Sequence, residues 1–191
     1  MVDVPEAAAW RLVDAHDGFE VVFIGRDGDG YRVDGHSTGV EDGEAWGVQY
    51  RIALDASWTT RSARVIARSI TGAGEVVLEA DGVGVWTVDG KHATELQGCL
   101  DVDLEGSAFT NAFPVHRLGL EPGRRADAPA AYVRAPSLRV ERLEQSYVRL
   151  EDDGERQRYS YASPRFDYED ELTYDEHGLV LDYPGIATRE L

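Results

Sequence analysis

The stretch Cys99-Leu100-Asp101-Val102-Asp103 sets a thiol and two carboxylates at alternate positions. On an extended strand such residues share one face, spaced about 7 Å apart. Two carboxylates so placed can hold a cation or divide the work of acid and base. Equally, they can be structural groups that accept hydrogen bonds from arginines and backbone amides. A metal would need further ligands, and the five histidines show no spacing that supplies them. Asp27-Gly28-Asp29-Gly30 resembles the start of a calcium loop. The later loop positions hold Tyr31, Arg32 and Thr38 where an oxygen ligand, glycine and glutamate belong, so a hairpin turn is expected instead.

In Trp58-Thr-Thr-Arg61-Ser-Ala-Arg64-Val-Ile-Ala-Arg68, alternation places Arg61 with Ala63, Val65 and Ala67 on an apolar face. An unpaired charge buried there costs several kcal/mol, so Arg61 is expected to find a carboxylate such as Asp101 or Asp103, or to contact a ligand. Trp58, Trp86, Tyr147, Tyr159, Tyr161 and Tyr183 are strand aromatics that either fill a core or present flat faces to sugar rings or acyl chains. No nucleophile elbow, phosphate-cradling glycine loop or dinucleotide fingerprint is present, so no cofactor is expected.

These residues need strands to position them, and the turn signals supply the strand ends. Asp-Gly recurs at 27–28, 29–30, 42–43, 81–82, 89–90 and 153–154, with His177-Gly178 later, and it favours tight hairpins. The runs between are rich in Val, Ile, Tyr, Trp and Thr, and Tyr50, Ile52 and Leu54 alternate with charged or small residues. Strands are predicted at 45–55, 58–69, 75–81, 130–135, 157–162, 166–174 and 179–183. Leu100, Val102 and Leu104 should face away from Cys99, Asp101 and Asp103. Residues 107–118 alternate poorly and predict a short helix with Pro114 in its first turn. Residues 137–150 have helical spacing in Val140, Leu143, Tyr147 and Leu150, but their context predicts a strand with a bulge near Arg142. The loop at 121–127 is expected to divide two halves of one sheet.

Length and composition fit one domain over 1–191: 191 residues, 42% hydrophobic, with nine tyrosines and four tryptophans. Thirty-six acidic and nineteen basic residues give a net charge of −17, and Lys91 is the only lysine. That field repels nucleic acid and anionic membrane surfaces. Its even spread along the chain suits a salty, halophilic cytosol, where molar salt shrinks the screening length to about 3 Å. An ordinary acidic protein is the plainer reading. One cysteine allows no internal disulfide. The start, Met1 to Glu6, has no secretion signal, and no apolar run is long enough to span a membrane. A cytoplasmic protein is expected.

Several segments together resemble one family, the putative glycolipid-binding proteins. They are Trp10; Tyr50-Arg51-Ile52 with Trp58-Thr-Thr-Arg61; Asp81-Gly82-Val-Gly84-Val-Trp86 with Asp89-Gly90; Leu96-Gln-Gly98-Cys99-Leu-Asp101-Val-Asp103-Leu104; Phe109-Thr110-Asn111 with Pro114 and Arg117-Leu118; Tyr132-Val133; Gln145-Ser-Tyr147; and Asp175-Glu-His-Gly178-Leu-Val180 ending in Asp182-Tyr183-Pro184-Gly185. The resemblance implies a mainly β fold: one long, many-stranded antiparallel sheet curled as a spiral β-roll around a short central helix. It also implies a non-catalytic binder of a glycolipid or other amphipathic lipid in the concave interior. The tail would supply affinity, Arg61, Asp101, Asp103, Asn111 or Arg117 would select the head group, and the aromatics Trp58, Trp86, Tyr147 and Tyr183 would line the pocket. A protein-interaction module without a small ligand, and an enzyme acting on a glycolipid through Asp101 and Asp103, stand as alternatives.

Overall fold

The computed structural model describes residues 4–13, 17–41 and 43–191. Met1 to Asp3, and Asp42 of the Asp42-Gly43 turn signal, lie outside the described residues. The amino-terminal half is a meander of hairpins: β1 Ala7–Leu12, β2 Asp17–Asp27, β3 Gly30–Glu41, β4 Glu44–Leu54, β5 Thr60–Ser69, β6 Gly72–Ala80, β7 Trp86–Val88 and β8 Lys91–His92. A middle segment follows, with β9 Asp101–Leu104, a 3-10 turn Phe109–Asn111 running into α1 Ala112–Leu118, then β10 Arg125–Asp127, β11 Ala130–Val133 and β12 Val140–Leu143. A second meander closes the chain: β13 Ser146–Arg149, β14 Gln157–Ser163, β15 Tyr168–Tyr174, β16 Val180–Tyr183 and β17 Ala187–Arg189.

The two meanders, with β10 added at one edge, form one 14-stranded antiparallel sheet, joined where β17 pairs with β1 through Leu12 and Ala187. The seam is therefore made by strands near opposite ends of the sequence. The 121–127 segment does not divide the sheet, since its last three residues are the edge strand β10 beside β13. A second, three-stranded sheet, β12-β11-β9, includes a parallel pairing of β9 with β11. Antiparallel hairpins alone did not anticipate that pairing.

The predicted helix forms, with Pro114 in the first turn of α1, where its missing N–H costs nothing. It packs against both meanders. Phe113 meets Trp58 at 6.3 Å beside β5, while Asn111 accepts a 2.9 Å hydrogen bond from Tyr147 of β13. Strands β13 and β5 stand nine places apart in the sheet, roughly 40 Å if it were flat. The sheet must bend around the helix for both contacts to exist. Trp10, Phe109 and Phe113 fill the space inside the bend, all fully buried.

A buried carboxylate fixes the helix there. Glu20 of β2 points inward in phase with Val22 and Ile24 and has no solvent exposure. Its Oε1 accepts hydrogen bonds from the Tyr50 and Ser107 hydroxyls, and its Oε2 accepts from the N–H groups of Ala108 at 2.8 Å and Phe109 at 3.3 Å. Those amides open the 3-10 turn and would otherwise be orphans. Burial raises the Glu20 pKa, and the four donors pull it back. Tyr50 reaches Glu20 from two strands away by lying across Gly35, where an added Cβ would sit 2.1 Å from the ring.

Two strand expectations are corrected. Within 137–150 the first three residues belong to a turn, with Leu138 at φ 58°, and the rest forms two strands in two sheets, broken at Glu144-Gln145 rather than bulged at Arg142. At the start of β5, Leu54 pairs with Thr60 but Ala53 pairs with Ser62, so Arg61 is the extra residue of a bulge. The bulge turns Arg61 out to solvent while Ala63, Val65 and Ala67 stay buried. Its guanidinium lies over Gly82, beside Asp81, and Thr60 takes the inward place, its Oγ1 accepting from the Val102 N–H.

Replacing Glu20 with alanine leaves two hydroxyls and two amides without their buried acceptor. A loss of about 3 kcal/mol or more is expected from denaturant unfolding, with Glu20→Gln losing less because its carbonyl can still accept. A Glu20→Ala midpoint close to that of the parent would show that the helix is held by apolar packing alone.

Candidate functional site

Both faces of β9 are covered, so Val102 and Leu104 are buried along with Asp101 and Asp103. The two carboxylates face the helix, and their fates differ. Asp101, 1% exposed, takes a two-pronged hydrogen bond from Arg117 of α1, Nε to Oδ1 at 2.9 Å and Nη2 to Oδ2 at 2.6 Å. Its partner is therefore Arg117 and not Arg61. Asp103 has no arginine; the Thr110 hydroxyl donates to its Oδ1 at 2.6 Å. Burial lifts its pKa from 3.8 to about 7, against the pull of that hydroxyl and the Leu104 amide. Cys99 stands apart from both, its sulfur 3.4 Å from Arg142 Nη1 and its thiol pushed up to about 11 by burial.

Asp103 forms part of a cleft of about 350 Å³ between the three-stranded sheet and strands β14 to β16. Gly106, Ser107, Asn111 and Ser163 line it together with buried Leu104 and Leu143, and Tyr132, Tyr161, Tyr168, Tyr183, Phe166 and Ile186 complete the walls. The period of two puts these groups there. Ser163 is in phase with buried Tyr159 and Tyr161 on β14, and Tyr168 is in phase with Leu172 and Tyr174 on β15. Tyr161, Tyr168 and Tyr183 pack against one another with centroids 5.5 to 6.0 Å apart. Two phenols are anchored, Tyr161 donating to Gln145 Oε1 and Tyr168 to the Pro184 carbonyl. Ser163 Oγ is buried and makes no hydrogen bond of normal geometry, although it bears on the Tyr161 phenol. Glu105, also at the cleft, is engaged by Arg134 and the Ala135 amide.

Of the residues singled out in the sequence, Asp103, Asn111 and Tyr183 come together here, along with Tyr161. Tyr147 is fully buried behind Asn111, its hydrogen-bond partner. Asp101 and Arg117 satisfy each other. Trp86 is core, its Nε1 donating to the Cys99 carbonyl at 2.8 Å. Trp58 and Arg117 border a different cavity, of about 460 Å³, with Arg26, Tyr31 and His116. Trp58 lies before β5 rather than in it. Its left-handed backbone, φ 66°, inserts the ring between Tyr31 at 4.7 Å and His116 at 3.7 Å. Burial lowers the His116 pKa to about 4. Tyr132, Ser163, Phe166, Tyr168 and Ile186 were not anticipated, though the strand phase of Ser163 and Tyr168 signals them. Among the described residues no group of three His, Cys, Asp or Glu side chains could hold a metal ion, and no helix is long and apolar enough to cross a membrane.

The family model described as "Putative glycolipid-binding" matches residues 7–189, and the chain belongs to that family. Among solved structures it is similar to a DUF1089 family protein from Pseudomonas aeruginosa, at 35% identity and a TM-score of 0.76, covering 90% of this chain and 92% of that one. A beta-barrel-like protein of domain of unknown function DUF1849 from Brucella abortus shares the fold at 12% identity and a TM-score of 0.52, covering 96% and 92%. A search of curated proteins finds no match.

The Asp103 environment makes stability depend on pH. Folded Asp103 keeps a proton that the unfolded chain has released between about pH 4 and 7. Its contribution is therefore full below about pH 4 and lost as pH rises through about 7. Relative to the parent, Asp103→Asn should gain stability between pH 4.5 and 7.5, by up to ~4 kcal/mol for a shift of that size. Urea unfolding at several pH values checks this, and a pH-independent difference between the two proteins would contradict it.

Proposed function

We propose that this protein binds a glycolipid or other amphipathic molecule without transforming it, receiving the polar end in the Asp103 cleft. The observation that carries the reading is the pairing, in one concave site, of a tyrosine-rich wall with buried polar groups that the fold leaves underused, Asp103 and Ser163. The family description points the same way. An enzyme using both carboxylates is disfavoured, because Asp101 commits both oxygens to Arg117 and does not border the cleft. A protein-interaction role draws on one observation, the outward Phe19 and Phe23 of β2, 38% and 56% exposed. Two rings on a flat sheet face offer less enclosure than the cleft.

The test is mass spectrometry of an organic-solvent extract of protein incubated with total cellular lipid and repurified. One dominant amphipathic species is expected, near one per chain, and reduced at least tenfold in Tyr183→Ala. Extracts empty in both proteins, or equally loaded, would refute the reading.

A further inference from the structure

The size and lining of the cleft say more about which end of an amphipathic molecule enters, on the basis of the reading above. Its volume of about 350 Å³ accommodates about a dozen heavy atoms if each takes the roughly 30 Å³ of a liquid water molecule. One hexose ring with its hydroxyls is about that size. A long acyl chain would consume the whole space and leave no room for a head group. Its buried lining carries several polar groups: Asp103, Ser107, Asn111 and Ser163 are each more than nine-tenths buried, as are Leu104 and Leu143 beside them. The most open of its apolar groups are Phe166, 44% exposed, and Ile186, half-buried, which mark the mouth.

Behind Asn111 the space is already filled. Asn111 backs onto Tyr147, and Phe109 and Phe113 fill the inside of the bend, all three aromatics fully buried. An alkyl chain pushed against Asp103 and Ser163 would strip water from them without replacing their hydrogen bonds. A ring with several hydroxyls would supply donors and acceptors there and pack its C–H faces on tyrosine.

Charge narrows the class further. The charged residues bordering the cleft are Asp103 and Glu105, both carboxylates. Arg134 beside Glu105 is spent on Glu105 and Glu141. A phosphate, sulfate or carboxylate head group would meet no free cation there. A quaternary ammonium needs rings turned face-on to a common point, whereas Tyr161, Tyr168 and Tyr183 turn edges into one another at 52° to 78°.

We propose that the cleft takes a single uncharged sugar-sized polyol and leaves any attached acyl chain outside, so that the protein reads a head group instead of enclosing a lipid. The chain of such a molecule leaves past Phe166 and Ile186, where it can remain in a micelle or a bilayer.

Calorimetric titration of the full chain with paired probes tests this: methyl glycosides of glucose, galactose and mannose, and the octyl glycosides of the same sugars below their micelle-forming concentrations. At least one methyl glycoside is expected to bind, with its octyl partner within about threefold. Ser163→Ala and Tyr183→Phe, which keep the packing, should each weaken both partners alike, by about threefold or more. Buried methylenes would instead raise affinity about fourfold apiece. An octyl glycoside more than a hundredfold tighter than its methyl partner would overturn the head-group claim while leaving amphipathic binding intact. Binding of tetramethylammonium or methyl phosphate in place of the neutral sugars would overturn it too. Silence from every glycoside, with lipid still recovered from the extract, would sink this inference alone; silence from both would sink the proposed function with it.

Discussion

The inner arrangement depends on a carboxylate placed where the pattern of the strand calls for an apolar residue. Glu20 is desolvated among core side chains, and an isolated charge there would be untenable. Its four donors come from β4 and from the segment that opens the helix, so the helix has one place in which the carboxylate is satisfied. That placement delivers Phe109 and Phe113 to the inside of the bend and Asn111 and Thr110 to the back of β9. A long sheet that could have enclosed an open channel is thereby plugged, and the Asp103 cleft lies to the side of the plug.

The same helix decides the electrostatics of β9. Asp101 and Asp103 are two residues apart and equally removed from water, but the helix brings Arg117 to one and only the Thr110 hydroxyl to the other. Asp101 becomes half of a buried ion pair whose hydrogen bonds are used up. Asp103 keeps a pKa near neutrality and faces the cleft, able to donate or accept according to its proton. One strand thus holds a carboxylate paired with an arginine and one without, and the difference lies wholly in what packs on them.

Much of the sheet was legible because hairpins are local: Asp-Gly turns and alternation at Tyr50, Ile52 and Leu54 are enough to place β4. The helix was legible through failed alternation and Pro114. Arg61 misled because a bulge shifts the phase by one residue, and nothing before Thr60 announces it except a tryptophan in an unusual backbone conformation. Glu20 was not singled out in the sequence, because its meaning needed Ser107 and Ala108, nearly ninety residues away. The parallel pairing of β9 with β11 and the break at Glu144-Gln145 are likewise non-local. Asp103 and Asp101 look alike in the sequence, and only the packed helix tells them apart.

The most direct measurement is a crystal structure of the protein soaked with an octyl glycoside that it binds in solution. The sugar ring should be ordered against Asp103, Ser163 and Tyr183, with the alkyl chain leaving past Phe166. A ring seated instead beside Trp58 and His116, or an alkyl chain buried against Asp103, would contradict the assignment of this cleft as a head-group site.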